Sequence, residues 1–200
     1  MQRHVEDLGR IRPSGCLKIS AYKNIHSREQ FIEFLKTQKD KMEFGFEIIR
    51  KNLIVEMGLK IATRSLILQA PDFGIVGIAF GDGGAPISDM LTPLPPHFKD
   101  IELGNELFRT PIDSSGISYS DVTPISATVS GIAVAADYES VNYINEAGLV
   151  NNIPDKPNDP ASQFDLFSRI TFPSIPFAGS VTTAILAEWI IYIDSSSASS

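Results

Sequence analysis

The chain has 200 residues, of which 43% are hydrophobic, and its formal net charge is −7. This length allows a sizeable core in one domain, with or without an appendage. The negative charge argues against binding to nucleic acid, which depends on Lys and Arg side chains that neutralise phosphates.

Neither disulfides nor membrane insertion are predicted. Cys16 is the single cysteine, so the fold does not depend on an oxidising compartment. No segment approaches the ~18 uninterrupted apolar residues of a membrane-spanning helix, and no apolar signal region follows the N-terminal charges. We therefore expect a protein that is made in soluble form in the cytoplasm.

The first 70 residues are predicted to form an arm and a helical segment. Residues 1–26 mix charge, Gly and Pro, with one short alternating stretch at residues 16–22. Ser27 and Gln30 have the spacing of a capping box, which predicts a helix that begins at about Arg28. Apolar residues at intervals of three or four then predict a helical stripe that ends before Pro71: Met42, Phe46, Ile49, Leu53, Met57 and Ile61.

This stripe has two interpretations. It can pack on the β-domain of the same chain, or it can form a seam between subunits. Five turns of helix are roughly 30 Å long, and a soluble monomer rarely exposes a continuous apolar face of that length. The second interpretation makes four residues interface candidates: Phe46, Ile49, Leu53 and Met57.

Beyond residue 71 the pattern changes to strands. An apolar run at 75–80 ends in the turn Gly81-Asp82-Gly83-Gly84, where we expect glycine to permit positive φ. The prolines at 86, 93, 95 and 96 predict an irregular surface loop that continues to Leu107. Further strands are predicted at 122–135, 141–150, 164–172 and 181–193, with a second Pro-rich loop at 151–161.

Strands without intervening helices predict an antiparallel sandwich. The predicted class is therefore α+β, with an N-terminal helical segment followed by an antiparallel β-sandwich. The predicted organisation is an arm at 1–26, a helical docking or oligomerisation segment at 27–70, a β-domain at 71–193 and a disordered tail at 194–200.

No pattern of catalytic or metal-binding residues stands out. The turn at 81–84 lacks the Lys-Ser/Thr of a phosphate loop, and no His has a second ligand at metal spacing. Glu106, Glu146 and Glu188 could supply the carboxylates of a glycosidase, but hydrogen bonds to loop backbone or a pair with Arg109 explain them more simply. We predict no enzymatic activity, no cofactor and no metal.

Five short motifs carry a resemblance to a known family. In chain order they are GDGG at 81–84, LGNELFR at 103–109, EAGL at 146–149, FPSIP at 172–176 and EW at 188–189. In this order and spacing they resemble the β-rich domain of bacteriophage tail-collar fibre proteins and related virion tail or baseplate components.

The resemblance implies a structural protein of the virion, in the tail, baseplate or neck, that is assembled in the host cytoplasm. Its partners would be other tail, baseplate or neck proteins, and the symmetry of tails implies a homo-oligomer of three or six copies. The resemblance also places Glu146 near Arg109, so we expect Arg109 to bind Glu146 or Glu188. Trp189 is expected to be buried in the closing strand.

An alternative function is a host receptor- or carbohydrate-binding module of the tail. Aromatic side chains in exposed loops would then contact the ligand, and the candidates are Phe98, Tyr119 and Tyr138. Binding of glycans by the isolated protein would favour this alternative.

Overall fold

The computed structural model describes residues 11–38, 44–68, 74–120, 125–138, 140–151, 166–178 and 182–195. Its strands pair antiparallel and form one nine-stranded, nearly closed, barrel-like sheet with few helices. The elements are β1 (Ile11–Tyr22), α1 (Arg28–Gln38), β2 (Phe44–Lys51), β3 (Leu53–Ile54), α2 (Glu56–Leu68), β4 (Gly77–Gly81), β5 (Glu106–Ser120), β6 (Ile125–Val134), a 3-10 turn (Ala135–Asp137), β7 (Tyr143–Val150), β8 (Leu166–Pro176) and β9 (Ala184–Ser195).

The order of strands across the sheet is β2-β1-β9-β6-β5-β4-β7-β8-β3. β2 and β3 lie at opposite edges, yet Asn52 alone separates them in the sequence, so the chain crosses the seam of the sheet there. The Asn52 backbone N–H donates to the Gly15 carbonyl at 3.0 Å, and Asn52 Nδ2 donates to Ser168 Oγ at 2.9 Å. One residue therefore joins both sides of the seam.

The main core lies inside the curled sheet. Its largest fully buried side chains include Trp189, Phe80 and Phe172. The expected burial of Trp189 is confirmed, because none of its surface is exposed. A second apolar cluster lies on the outer side of the sheet, where Phe31 of α1 packs against Tyr22.

The start of α1 agrees with the predicted capping box. Ser27 Oγ accepts a hydrogen bond from the Gln30 N–H at 3.1 Å, which satisfies a free donor of the first turn. Gln30 Oε1 accepts from the N–H of His26 at 2.8 Å, one residue earlier than the capping box requires.

The predicted arm at 1–26 requires a correction. Residues 11–22 form β1, which lies between β2 and β9 and pairs with both. Hydrogen bonds along both edges therefore fix a segment that was expected to depend on a neighbour. Residues 1–10, the second Pro-rich loop from 152 onwards and residues 196–200 of the predicted tail lie outside the described residues.

The predicted helical stripe is wrong between residues 44 and 54, where the chain forms β2 and β3. Pairing with β1 decides this, helped by the β-branched pair Ile48-Ile49 and by Gly45, which disfavours a helix. Because a strand alternates its faces, Ile48 packs against the core while Ile49 is 57% exposed. The backbone of Phe46 lies in β2, and its side chain is outside the described set.

The remaining interface candidates are also separated. Leu53 lies in the two-residue strand β3, and Met57 lies in the first turn of α2, partly buried against the core. The four candidates therefore do not share one helical face. The first three strands belong to the same sheet as the others, so no separate N-terminal helical segment precedes the β-structure.

The predicted strands after residue 71 are confirmed as β4, β6, β7, β8 and β9. No helix within the described ranges is long and apolar enough to cross a membrane.

Candidate functional site: an anchored proline-rich loop

Residues 82–105, which connect β4 to β5, contain turns and bends but no regular strand or helix. This agrees with the irregular loop that the prolines predict. We call this segment the proline-rich loop. Its ends meet at the carboxylate of one residue of β7.

That residue is Glu146, which is fully buried. Its Oε1 accepts hydrogen bonds from the backbone N–H groups of Gly83 and Asn105 at 3.0 and 2.9 Å. Its Oε2 accepts a bond from the N–H of Gly104 at 3.0 Å. One side chain thus joins the first and the last turn of the loop, and its buried charge requires a partner.

Arg169 of β8 supplies this partner. Its Nη2 and Nε lie 2.6 and 3.1 Å from Oε2 of Glu146, and its Nη1 lies 2.6 Å from Oδ2 of Asp100 in the loop. Burial alone would lower the pKa of Arg169, but the two carboxylates outweigh burial and the net shift of the pKa is upward. We call Asp100, Glu146 and Arg169 the Glu146 network.

The glycines of the first turn are needed for close approach. No described glycine has a positive φ, so the expected reason for glycine here is wrong. A Cβ on Gly83 would lie 2.7 Å from the Cα of Gly104, and a Cβ on Gly84 would lie 2.8 Å from the Cβ of Glu146. A side chain at either position would therefore push the loop away from the carboxylate.

The inner side of the loop is attached to β8 and α2 through main-chain carbonyls. Met90 O accepts from the Ser174 N–H at 2.9 Å, and Leu94 O accepts from Thr171 Oγ1, so the loop covers the edge of β8. Phe98 O accepts from the Glu56 N–H at 2.8 Å. Glu56 is the first residue of α2, and its N–H has no partner within the helix.

The outer side of the loop carries apolar side chains. Ile87 is 89% exposed and Leu91 is 75% exposed. An ordered loop that exposes several large apolar groups is typical of a protein–protein contact. We call the exposed set the loop surface: Ile87, Leu91, Leu94, Phe98 and Ile101.

Asp89 shapes the first turn of this surface. The pKa of its carboxyl lies below the ordinary value because the Thr92 side chain and the Leu91 N–H donate hydrogen bonds to the carboxylate. The Asp89 N–H donates to the Pro86 carbonyl at 3.0 Å. These local bonds hold Ile87 and Leu91 on neighbouring turns.

The predicted contact of Arg109 requires a correction. Arg109 forms a bidentate ion pair with Glu106, with N···O distances of 2.6 and 3.0 Å. Residues three apart normally face opposite sides of a strand, but the register of β5 shifts between Glu106 and Phe108 and brings them to one side. The cation bound to Glu146 is Arg169, and Glu188 lies 3.9 Å from the ammonium of Lys18.

The three aromatic candidates lie in different places. Phe98 belongs to the loop surface, and Tyr119 is 78% exposed on β5. The ring of Tyr138 stacks on Phe108 at a centroid distance of 3.9 Å, and its hydroxyl donates to the Arg109 carbonyl at 3.3 Å. Tyr138 also borders a shallow pocket of about 270 Å³.

Sequence reasoning missed Arg169, Asp100 and the role of Asn145, whose Oδ1 accepts from the Gly84 N–H at 2.6 Å. A signal was present for Arg169, because it interrupts the otherwise apolar or small-residue run of β8. A charged residue at such a position is rarely buried without a partner.

Comparison with known proteins adds no relative. No protein-family model, no curated protein and no solved structure matches this chain. The resemblance to tail-collar fibre domains therefore rests on the five motifs. Three of them, GDGG, LGNELFR and EAGL, meet at Glu146.

Proposed function

We propose that this protein is a structural component of a bacteriophage virion, located in the tail, baseplate or neck. It acts through contacts with other virion proteins after assembly in the host cytoplasm. The resemblance of the five motifs to tail-collar fibre domains supports the assignment to a virion. The observation that carries the mode of action is the anchored loop surface.

The anchoring favours docking because a partner need not order the loop. Ordering a flexible segment on binding costs free energy that reduces the affinity. Here, Glu146 holds both ends of the loop, while Met90 and Phe98 bind β8 and α2 through their carbonyls. The apolar side chains are therefore presented in a fixed arrangement.

A structural role also explains the most deeply buried carboxylate. A general acid needs an oxygen that can reach the substrate. Both oxygens of Glu146 already accept hydrogen bonds, from three backbone amides and from Arg169. Among the described residues, no group of three His, Cys, Asp or Glu side chains could hold a metal ion. We assign Glu146 to the architecture of the loop.

The docking element in this proposal is the loop rather than the segment at 27–70. The members of the predicted stripe lie on two strands and a helix, and Ile61 is 96% buried in the main core. We retain three or six copies per particle as part of the proposal, since closed rings are the usual symmetry of tail assemblies.

The test compares two isoleucines that differ in position but not in chemistry. Ile87→Asp, in the loop surface, should prevent incorporation of the protein into particles that lack the wild-type copy. Ile49→Asp, on β2, introduces the same charge at a site that is also exposed. It should leave incorporation unchanged. Equal incorporation of the two variants would refute the loop as docking element.

A second candidate function is the receptor- or carbohydrate-binding module. Its structural support is the pocket beside Tyr138, which Phe177 and His26 also line. The volume of about 270 Å³ lies just below the roughly 300 to 1,000 Å³ of ligand pockets, which would fit a small sugar. Glycan-array binding that Phe177→Ala abolishes would favour this function over the structural one.

A further inference from the structure

A four-stranded extension continues past the end of β4. Residues 117–120 of β5 pair with residues 126–129 of β6, which pair with β9, and β9 pairs with the beginning of β1. β4 pairs with β5 no further than Pro111, and the register of β5 shifts between Ile112 and Ile117. Residues 117–120 therefore have β6 on one edge and no described strand on the other.

The two faces of this extension differ in polarity. Ile117 lies opposite the buried Val129, so it is on the face that continues the core. Tyr119 and Ile125 alternate onto the same face and are 78% and 53% exposed. Ser118 and Ser120 are on the opposite face. An apolar sheet face thus emerges from the core without a cover among the described residues.

The free edge also lacks the usual protection. Edge strands are normally blunted by charged side chains or proline, which prevent pairing with another chain. Residues 114–120, SSGISYS, contain neither. By contrast, β2, at an outer edge of the sheet, carries Glu47, Arg50 and Lys51. The end of β5 therefore combines an open backbone edge with an exposed apolar face.

We propose that a second copy of this chain pairs with this edge in an antiparallel manner, about a two-fold axis at Ser118. Such an axis is perpendicular to the sheet, so residues that lie opposite each other share a face. Ile117 of each copy then lies opposite Tyr119 of the other. Pairs of an aromatic and a β-branched side chain stabilise antiparallel strands.

Self-complementarity is the reason to assign this edge to a second copy rather than to another protein. The axis places Ser118 opposite its own symmetry mate on the polar face, and no like charges meet. The two apolar faces join into one continuous surface. This inference rests on the fold and not on the proposed virion role, although a dimer fits a particle with six copies as three dimers.

Sedimentation equilibrium tests the pairing. The purified full chain should have twice the chain mass, and Tyr119→Lys should convert it to a monomer with an unchanged circular dichroism spectrum. Ile87→Lys places the same charge on the loop surface and should stay dimeric. A monomeric wild type, or a Tyr119→Lys variant that remains dimeric, would overturn the proposal.

Cysteine cross-linking tests the register in a Cys16→Ser background. Ser118→Cys should form a disulfide-linked dimer under mild oxidation, since the two thiols would be on directly opposed residues. Ser126→Cys lies on β6, so its symmetry mate would be three strand spacings away, about 14 Å, and it should stay uncrosslinked. Equal cross-linking of both variants would overturn the proposed axis. If the wild type is a monomer whose amides at 117–120 exchange slowly, a segment of the same chain covers the edge and the proposal is wrong.

Discussion

Arg169 donates two hydrogen bonds to one oxygen of Glu146, from Nη2 at 2.6 Å and from Nε at 3.1 Å. The other oxygen of Glu146 accepts only from backbone amides of the proline-rich loop. The ion pair thereby joins β8 to β7 at the place where the loop begins and ends. Because Glu146 is fully buried, its contacts should dominate the stability of this region.

Glu146→Gln should lower the free energy of unfolding by about 3 to 5 kcal/mol, because it leaves Arg169 partly unpaired in a buried site. The amide group cannot accept the bonds from Arg169 and Gly104 that Oε2 accepts. Glu106→Gln is the matched control, since Glu106 pairs with Arg109 and its side chain is 32% exposed. Urea denaturation should show a much smaller loss for the control, and equal losses would contradict the assigned role of Glu146.

Gly84→Ala should destabilise the fold by at least the roughly 1 to 3 kcal/mol typical of overpacking. The new Cβ would meet backbone atoms, with the carbonyl carbon of Asn145 at 2.9 Å. Gly131→Ala is the comparison, because its nearest neighbour is the end of the Ile78 side chain, also at 2.9 Å, which can rotate. Thermal melting should rank Gly84→Ala below Gly131→Ala, and the reverse order would show that the first turn can yield.

Trp189→Ala should cost about 3 to 5 kcal/mol, because it removes the largest fully buried side chain from the core. Trp189→Phe should cost less. It keeps a ring in the core and removes Nε1, a buried donor that has no hydrogen-bond partner in the described part of the chain. A Trp189→Ala variant that melts within a degree or two of the parent would disprove this role for the side chain.

Alkaline pH should destabilise the protein through Tyr138. Burial raises the pKa of Tyr138 above its ordinary value of 10.0, and Asp137 adds to the shift. A raised folded-state pKa gives stability that is complete below the ordinary value and is lost as the pH rises through the folded-state value. Tyr138→Phe should therefore show a shallower fall in unfolding free energy above about pH 10 than the parent. The exposed Tyr119→Phe is the control, and a fall as steep in Tyr138→Phe as in the parent would exclude Tyr138 as the cause.

Local signals in the sequence predicted the parts of the fold that local physics decides. The capping residues Ser27 and Gln30 located the start of α1, and alternation located β7 and β9. The prolines located the loop. These features depend on neighbours within a few residues, so the sequence alone contains the information.

Long-range pairing decided the features that sequence reasoning missed. Ile48 and Ile49 fit a helical period of three or four as well as a strand, and only pairing with β1 selects the strand. The Glu106–Arg109 pair depends on a register shift between β4 and β5. Arg169 reaches Glu146 from another strand, and a single sequence does not reveal which arginine a buried carboxylate will meet.

Electron cryo-microscopy of the parent particle tests the central claim most directly. The account predicts three or six copies of this chain in the tail, baseplate or neck, with Ile87 and Leu91 buried against a neighbouring virion protein. A particle that lacks the chain, or one in which the loop surface faces solvent in every copy, would contradict the account.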